Sequence, residues 1–101
     1  HYDLRNLELV FDVGYDSDLR SCLHLIREEL IKNTYVQDKE QITVYISEMA
    51  DSSIRIYTRC QVKAADYFTA RTDIIIAVKE TLDRAGIDIP FPQLVVHQSE
   101  K

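Results

Sequence analysis

Ile42-Thr43-Val44-Tyr45-Ile46-Ser47 and Ile54-Arg55-Ile56-Tyr57-Thr58-Arg59-Cys60-Gln61-Val62 are the two stretches that decide the fold of this chain. In the first, Ile42, Val44 and Ile46 alternate with Thr43, Tyr45 and Ser47; in the second, Ile54, Ile56, Cys60 and Val62 alternate with Arg55, Tyr57, Arg59 and Gln61. A period of two puts one set on each face of an extended backbone, so both runs read as half-buried strands. The link Met49-Ala50-Asp51-Ser52-Ser53 is short, which makes the pair an antiparallel hairpin. The Asn-Gly or Asp-Gly pair that marks tight hairpins is missing, and the turn type stays open.

Upstream, Leu7, Leu9, Phe11, Val13 and Tyr15 alternate with Glu8 and Asp12, which predicts a first strand over this stretch. Asp16 or Ser17 can cap the helix that follows, with Asp18 suited to the positive end of its dipole. The helix runs to about Asn33 and buries Leu19, Cys22, Leu23, Ile26, Leu30 and Ile31, leaving Arg20, Arg27, Glu28 and Lys32 to solvent. His24 lies off this stripe and has no neighbouring His or Cys, so it reads as a boundary or exposed imidazole rather than a ligand.

Downstream, Asp66 is placed to cap a second helix whose stripe is Tyr67, Ala70, Ile74, Ala77, Val78, Leu82 and Ala85. Gly86 supplies the left-handed residue that ends it, and Ile87 folds back onto the last turn. Ile76 falls opposite the stripe and is expected to be exposed. A last extended segment, Ile89 to His97, completes the order βαββαβ. With short links this order predicts an α+β fold of the ferredoxin-like kind, a four-stranded antiparallel sheet with two helices on one face.

Composition narrows the function. The chain has 101 residues, one core's worth, 46% hydrophobic and 29% charged. Its longest apolar run, Ile74-Ile75-Ile76-Ala77-Val78, is far short of the ~20 residues that span a bilayer. The start, His1-Tyr2-Asp3-Leu4-Arg5, has no signal-peptide pattern and reads as a cut inside a longer chain. A net charge of −5 with dispersed Lys and Arg disfavours nucleic acid and anionic membrane surfaces. Cys22 and Cys60, in no CxxC spacing and each in an apolar register, are expected to be buried free thiols.

Chemistry-bearing patterns are scarce. Gly14 and Gly86 are the only glycines, too few for a phosphate-cradling loop or a dinucleotide fingerprint. Asp12, Asp16 and Asp18 lack the glycine and closing glutamate of a Ca²⁺ loop, and no serine or cysteine has a partner His at a recognisable spacing. No catalytic residue, cofactor or metal is therefore expected. Arg55, Tyr57, Arg59 and Gln61 share one face of the third strand, which can be a solvated or subunit-facing surface or hold a small anion.

Four segments carry a resemblance: Phe11-Asp12-Val13-Gly14-Tyr15-Asp16-Ser17-Asp18, Asp51-Ser52-Ser53-Ile54 with Arg59, Asp66-Tyr67, and Gly86 to Gln93, where an aromatic residue stands between two prolines before Gln. Together they resemble the carboxy-terminal domain of the small-conductance mechanosensitive channel (MscS) family. Gln61 departs from it, since many relatives carry Trp there. The resemblance implies a subunit of a homo-oligomer, a heptamer in the intact protein, whose domain floors a cytoplasmic vestibule beneath the inner membrane. Inorganic ions would be the permeants under osmotic downshock, and membrane contact would come only through upstream helices. Residues 1–6 would be the tail of a preceding β-domain or a linker, and 7–92 the α+β domain. In 93–101, with Ile89, Pro90, Phe91, Pro92, Gln93, Leu94, Val95, Val96 and His97 as the assembly segment, lies a strand of an intersubunit barrel. Arg55, Tyr57, Arg59, Gln61 and Ile76 are the candidate interface or vestibule face. The fragment alone would be mostly monomeric when dilute. The competing reading is a ferredoxin-like regulatory module that binds a small ligand on the Arg55/Arg59 face.

Overall fold

The two alternating runs do pair as an antiparallel hairpin. The computed structural model describes residues 3–87 and 89. It contains strand β1 (Leu4–Val13), helix α1 (Leu19–Lys32), strands β2 (Thr43–Met49) and β3 (Ile54–Lys63), and helix α2 (Tyr67–Arg84), with 3-10 turns at Lys39–Gln41 and Ala64–Asp66. The strands form one antiparallel sheet in the order β1-β3-β2. The expected fourth strand falls on residues outside the described ones, Ile89 apart.

Alternation translates directly into burial. Leu7, Leu9, Val13, Ile54, Ile56, Cys60 and Val62 are buried on one face, joined by Thr58, whose hydroxyl donates to the Leu9 carbonyl at 2.9 Å. Cys22, Ile26 and Leu30 of α1 and Ala70, Ile74, Val78 and Leu82 of α2 close over that face in a single cluster, so both helices cover the same side. Each fully buried Leu or Ile contributes roughly 1.5–3 kcal/mol of apolar transfer. Both cysteines are free and buried, and burial pushes their thiols up, Cys60 to about 11.

Several local expectations need correcting. β1 starts at Leu4, because β3 is long enough to offer Gln61–Lys63 as partners to Leu4–Asn6. It stops at Val13, because Ser17 N donates to Gly14 O at 3.1 Å and closes a turn that leaves Tyr15 exposed. The α1 cap is Asp18 rather than Asp16 or Ser17: its carboxylate accepts from Ser21 N at 3.3 Å, satisfying one of the helix's free donors. Asp66 stands at the α2 cap position but makes no side-chain capping bond, since a 3-10 turn leads the chain into the helix. Ile31 and Ala85 are exposed, at the edge of one stripe and past the end of the other.

The end of α2 follows the expected motif. Gly86 has φ of 78°, Gly86 N donates to Asp83 O at 3.1 Å, and Ile87 N donates to Leu82 O at 3.0 Å. These paired bonds satisfy the last carbonyls and bring Ile87 back against the core.

Candidate functional site

With both helices on one side, the other side of the sheet is uncovered among the described residues. Outward-pointing positions of three strands meet there, and the pairing register sets which: Glu8 faces Arg59, Val10 faces Tyr57, and Asp12 faces Arg55 across β1 and β3. Thr43 faces Arg59 and Tyr45 faces Tyr57 across β2 and β3. A register shift between Ile46 and Glu48 adds one residue, Ser47, to β2. That bulge turns Glu48 outward opposite Arg55 while Ile46 stays opposite Ile56 in the core.

Arg55 is consequently held from both sides. Its Nε donates to Asp12 Oδ1 at 3.2 Å and its Nη1 to Glu48 Oε1 at 3.0 Å. The hydrogen bond and charge of Asp12, then the charge of Glu48, raise the guanidinium pKa further above its already high value. Tyr57 donates its hydroxyl to Glu8 Oε2 at 2.6 Å, and that bond, ahead of burial, raises the phenol pKa. The Tyr45 and Tyr57 rings lie 5.1 Å apart, tilted by 37°. With Val10, 52% exposed, they form an apolar strip across the sheet between two charged rows. Arg59 is exposed and takes part in no ion pair among the described residues. Gln61 is half-buried, its carbonyl accepting from Gln37 N at 2.8 Å.

The structure thus brings Arg55, Tyr57, Arg59 and Gln61 onto one surface. Ile76 is not part of it: on the outer side of α2 and 51% exposed, it borders a groove of about 450 Å³ with Phe68, Thr69, Thr72 and Asp73. Of the segment from Ile89 to His97, only Ile89 is described, half-buried against the core. Sequence reading missed Glu48, Tyr45 and Glu8 as partners of the third strand. Glu8 and Tyr45 follow from alternation once the pairing register is known, whereas Glu48 is hidden by the bulge. Asp12 is engaged by Arg55, apart from Asp16 and Asp18, and no cluster of His, Cys, Asp or Glu able to hold a metal occurs among the described residues. No helix there is long and apolar enough to cross a membrane.

What this face can do chemically is limited. Arg55 already has two carboxylates, and the Tyr57 phenol is a donor held by a third. The face displays both signs of charge on either side of an apolar strip.

Comparison with known proteins gives the context. Residues 7–89 match the family model described as mechanosensitive ion channel MscS, C-terminal. An MscS family protein of Synechocystis sp. is 36% identical over 93 residues, covering 92% of this chain and 31% of that protein. The small-conductance mechanosensitive channel of Edwardsiella ictaluri is 30% identical over 92% of this chain and 32% of its own length. The closed-state crystal structure of Helicobacter pylori MscS superposes with a TM-score of 0.81 at 30% identity, over 91% of this chain and 37% of that one. Arabidopsis thaliana MSL1, at 17% identity and a TM-score of 0.76, shares the fold. The chain spans about a third of the length of these relatives.

Proposed function

From the premise that this chain belongs to the MscS family of mechanosensitive ion channels, as its C-terminal domain, we propose that it serves the cytoplasmic vestibule of a channel that releases ions under osmotic downshock. The observation that carries this is the agreement of sequence and fold along nearly the whole chain, residues 7–89 by family model and 91% by superposition. In this reading the intact protein sits in the inner membrane through helices outside this sequence, and the domain works as a wall, without catalysis. The strand order β1-β3-β2 leaves the outer edge of β1 unpaired among the described residues, where a ferredoxin-like fold places its fourth strand.

The helix-free face suits a vestibule surface. Its carboxylates and guanidinia lie in an ordered grid fixed by backbone register, where they present fixed charge to passing ions or to a neighbouring subunit without binding either tightly. Residues 93–101 supply the assembly strand, with Leu94, Val95 and Val96 covered by the same strand of other subunits in a heptameric ring. A small-ligand module is disfavoured by the engagement of Arg55 with Asp12 and Glu48, which a ligand anion would have to displace.

The test uses the full-length protein reconstituted in liposomes. Tension applied to a patch is expected to open an ion conductance, and light scattering in detergent to give seven subunits. Removing residues 93–101 should break the oligomer. A protein silent under lytic tension, or an oligomer indifferent to the deletion, would sink the reading.

A further inference from the structure

We propose that the outer face of α2 in one copy of this chain lies on the helix-free sheet face of the next copy, a contact between unlike surfaces that repeats from subunit to subunit. Each surface carries an apolar strip left uncovered among the described residues. On α2 the strip is Phe68, Thr72 and Ile76, with Phe68 76% and Ile76 51% exposed, along the groove they share with Thr69 and Asp73. On the sheet it is Val10, Tyr57 and Tyr45, in register across β1, β3 and β2.

Length, width and charge make the two strips complementary. Phe68 and Ile76 lie about 12 Å apart along the helix, and Val10 and Tyr45, separated by two strand spacings, about 10 Å. A helix laid along the sheet strip, across the strands, has the Arg55 and Arg59 rows on either side of it. Those rows are roughly 13 Å apart in an extended strand, room for a helix about 10–12 Å across with its side chains. The flanks of α2 carry opposite signs: Asp73 and Glu80, exposed and two helical turns apart, share one flank, and Arg71 is exposed on the other. On the sheet, Arg59 is an exposed cation in no ion pair among the described residues, while in the other row Arg55 is outnumbered by Asp12 and Glu48. The helix direction that sets Asp73 and Glu80 on the Arg59 row also sets Arg71 on the row of carboxylates. The occupant is a second copy because every copy carries both surfaces, on opposite sides of its sheet. An open string of copies leaves one of each uncovered, and a closed ring covers them all.

This interface rests on the channel reading for the existence of a homo-oligomer and goes beyond it by naming the two surfaces that meet. The test uses the full-length protein carrying Thr72→Cys together with Tyr45→Cys, treated with a short bis-maleimide, Cys22 and Cys60 being buried. Thr72 is the middle of one strip, and Tyr45 is one strand spacing, about 5 Å, from the middle of the other. Within one chain the two positions lie on opposite sides of the sheet, beyond a short linker. A ladder of chains linked between these positions, identified by peptide mass, is expected from the double variant and from neither single variant. No link from the double variant would overturn the proposal, as would dimers from either single variant, which mark a contact between like surfaces. Adding Ile76→Asp places a charge in the apolar contact and is expected to slow linking at least about tenfold; an unchanged rate would also overturn the proposal. Oligomer size and tension-activated conductance of the parent protein separate the two failures. An oligomeric, conducting parent whose paired variant does not link refutes this interface alone, and a monomeric parent refutes the channel reading with it.

Discussion

Asn33 and Asp73, forty positions apart, are joined by a hydrogen bond of 2.8 Å from Asn33 Nδ2 to Asp73 Oδ2, which ties the end of α1 to the middle of α2. The same asparagine accepts from Tyr35 N at 2.9 Å through Oδ1, and from Lys39 Nζ at 2.6 Å through its carbonyl. It is only 8% exposed, so these groups have little water to fall back on. Removing its side chain leaves a backbone donor and a carboxylate short of partners at the seam between the helices.

Asn33→Ala is accordingly expected to destabilise the domain by about 1–3 kcal/mol. Asp73→Ala should cost less, because Asp73 is itself exposed and its loss breaks one of the two bonds of the Asn33 side chain while the one from Tyr35 N to Oδ1 remains. Urea denaturation of the two variants checks the order; an Asp73→Ala loss larger than that of Asn33→Ala contradicts it.

Gly86→Ala isolates backbone strain. A Cβ at this position meets nothing within 4 Å, so no clash contributes, yet φ of 78° lies in the left-handed region. The expected cost is therefore conformational alone, roughly 1–2 kcal/mol. Gly86→Asn should recover part of it, since Asn tolerates this region better. Equal melting temperatures for wild type and Gly86→Ala would show that the paired bonds to Leu82 and Asp83 do not hold this geometry.

Stability should fall at alkaline pH through Cys60. Burial raises its folded-state pKa to about 11, above the 9.0 of a solvated thiol. Between those values the unfolded chain releases the thiol proton and the folded one keeps it, so the unfolded state binds fewer protons and is favoured as pH rises. Below the unfolded value the contribution is fully present. Within the window this one group lowers the folding constant by up to about tenfold per pH unit. Cys60→Ala should flatten that slope, as read from denaturation midpoints at successive pH values.

Much of this was legible in advance, and the exceptions share a cause. Period-two burial in β3 and period-3.6 burial in α2 depend on side chains alone, so Ile54, Ile56, Val62, Ile74 and Val78 could be placed from the sequence. Asp18 as cap, and Glu48 on the outer face, depend on where a turn closes and where a strand gains a residue. Those are backbone events that adjacent Asp, Ser and Glu residues do not report. The Arg55 face was visible as a row of side chains, but its occupancy by Asp12 and Glu48 was not, because cross-strand partners require the register.

That register makes an unusual deletion harmless. Ser47 is the residue by which β2 exceeds β3: Ile46 pairs with Ile56 before it and Glu48 with Arg55 after it. Taking Ser47 out joins two stretches already in step, so every inward residue of β2 stays inward, and the one interaction lost is a weak 3.4 Å bond from its hydroxyl to the Arg55 carbonyl. The expected cost is within about 1 kcal/mol. Deleting Tyr45 from the same strand has the opposite effect. Either Val44 moves to the outer face opposite Tyr57, or the bulge heals and Ser47 enters the core opposite Ile56, because a shift of one residue exchanges the faces of a strand. Both outcomes replace an apolar core residue with a polar one, a change on the order of 2–5 kcal/mol. Urea midpoints and the labelling rate of buried Cys60 decide between the two deletions. A Ser47 deletion as damaging as that of Tyr45 would mean that the bulge itself, through the twist it gives the strand, is needed to close the helix layer over the sheet.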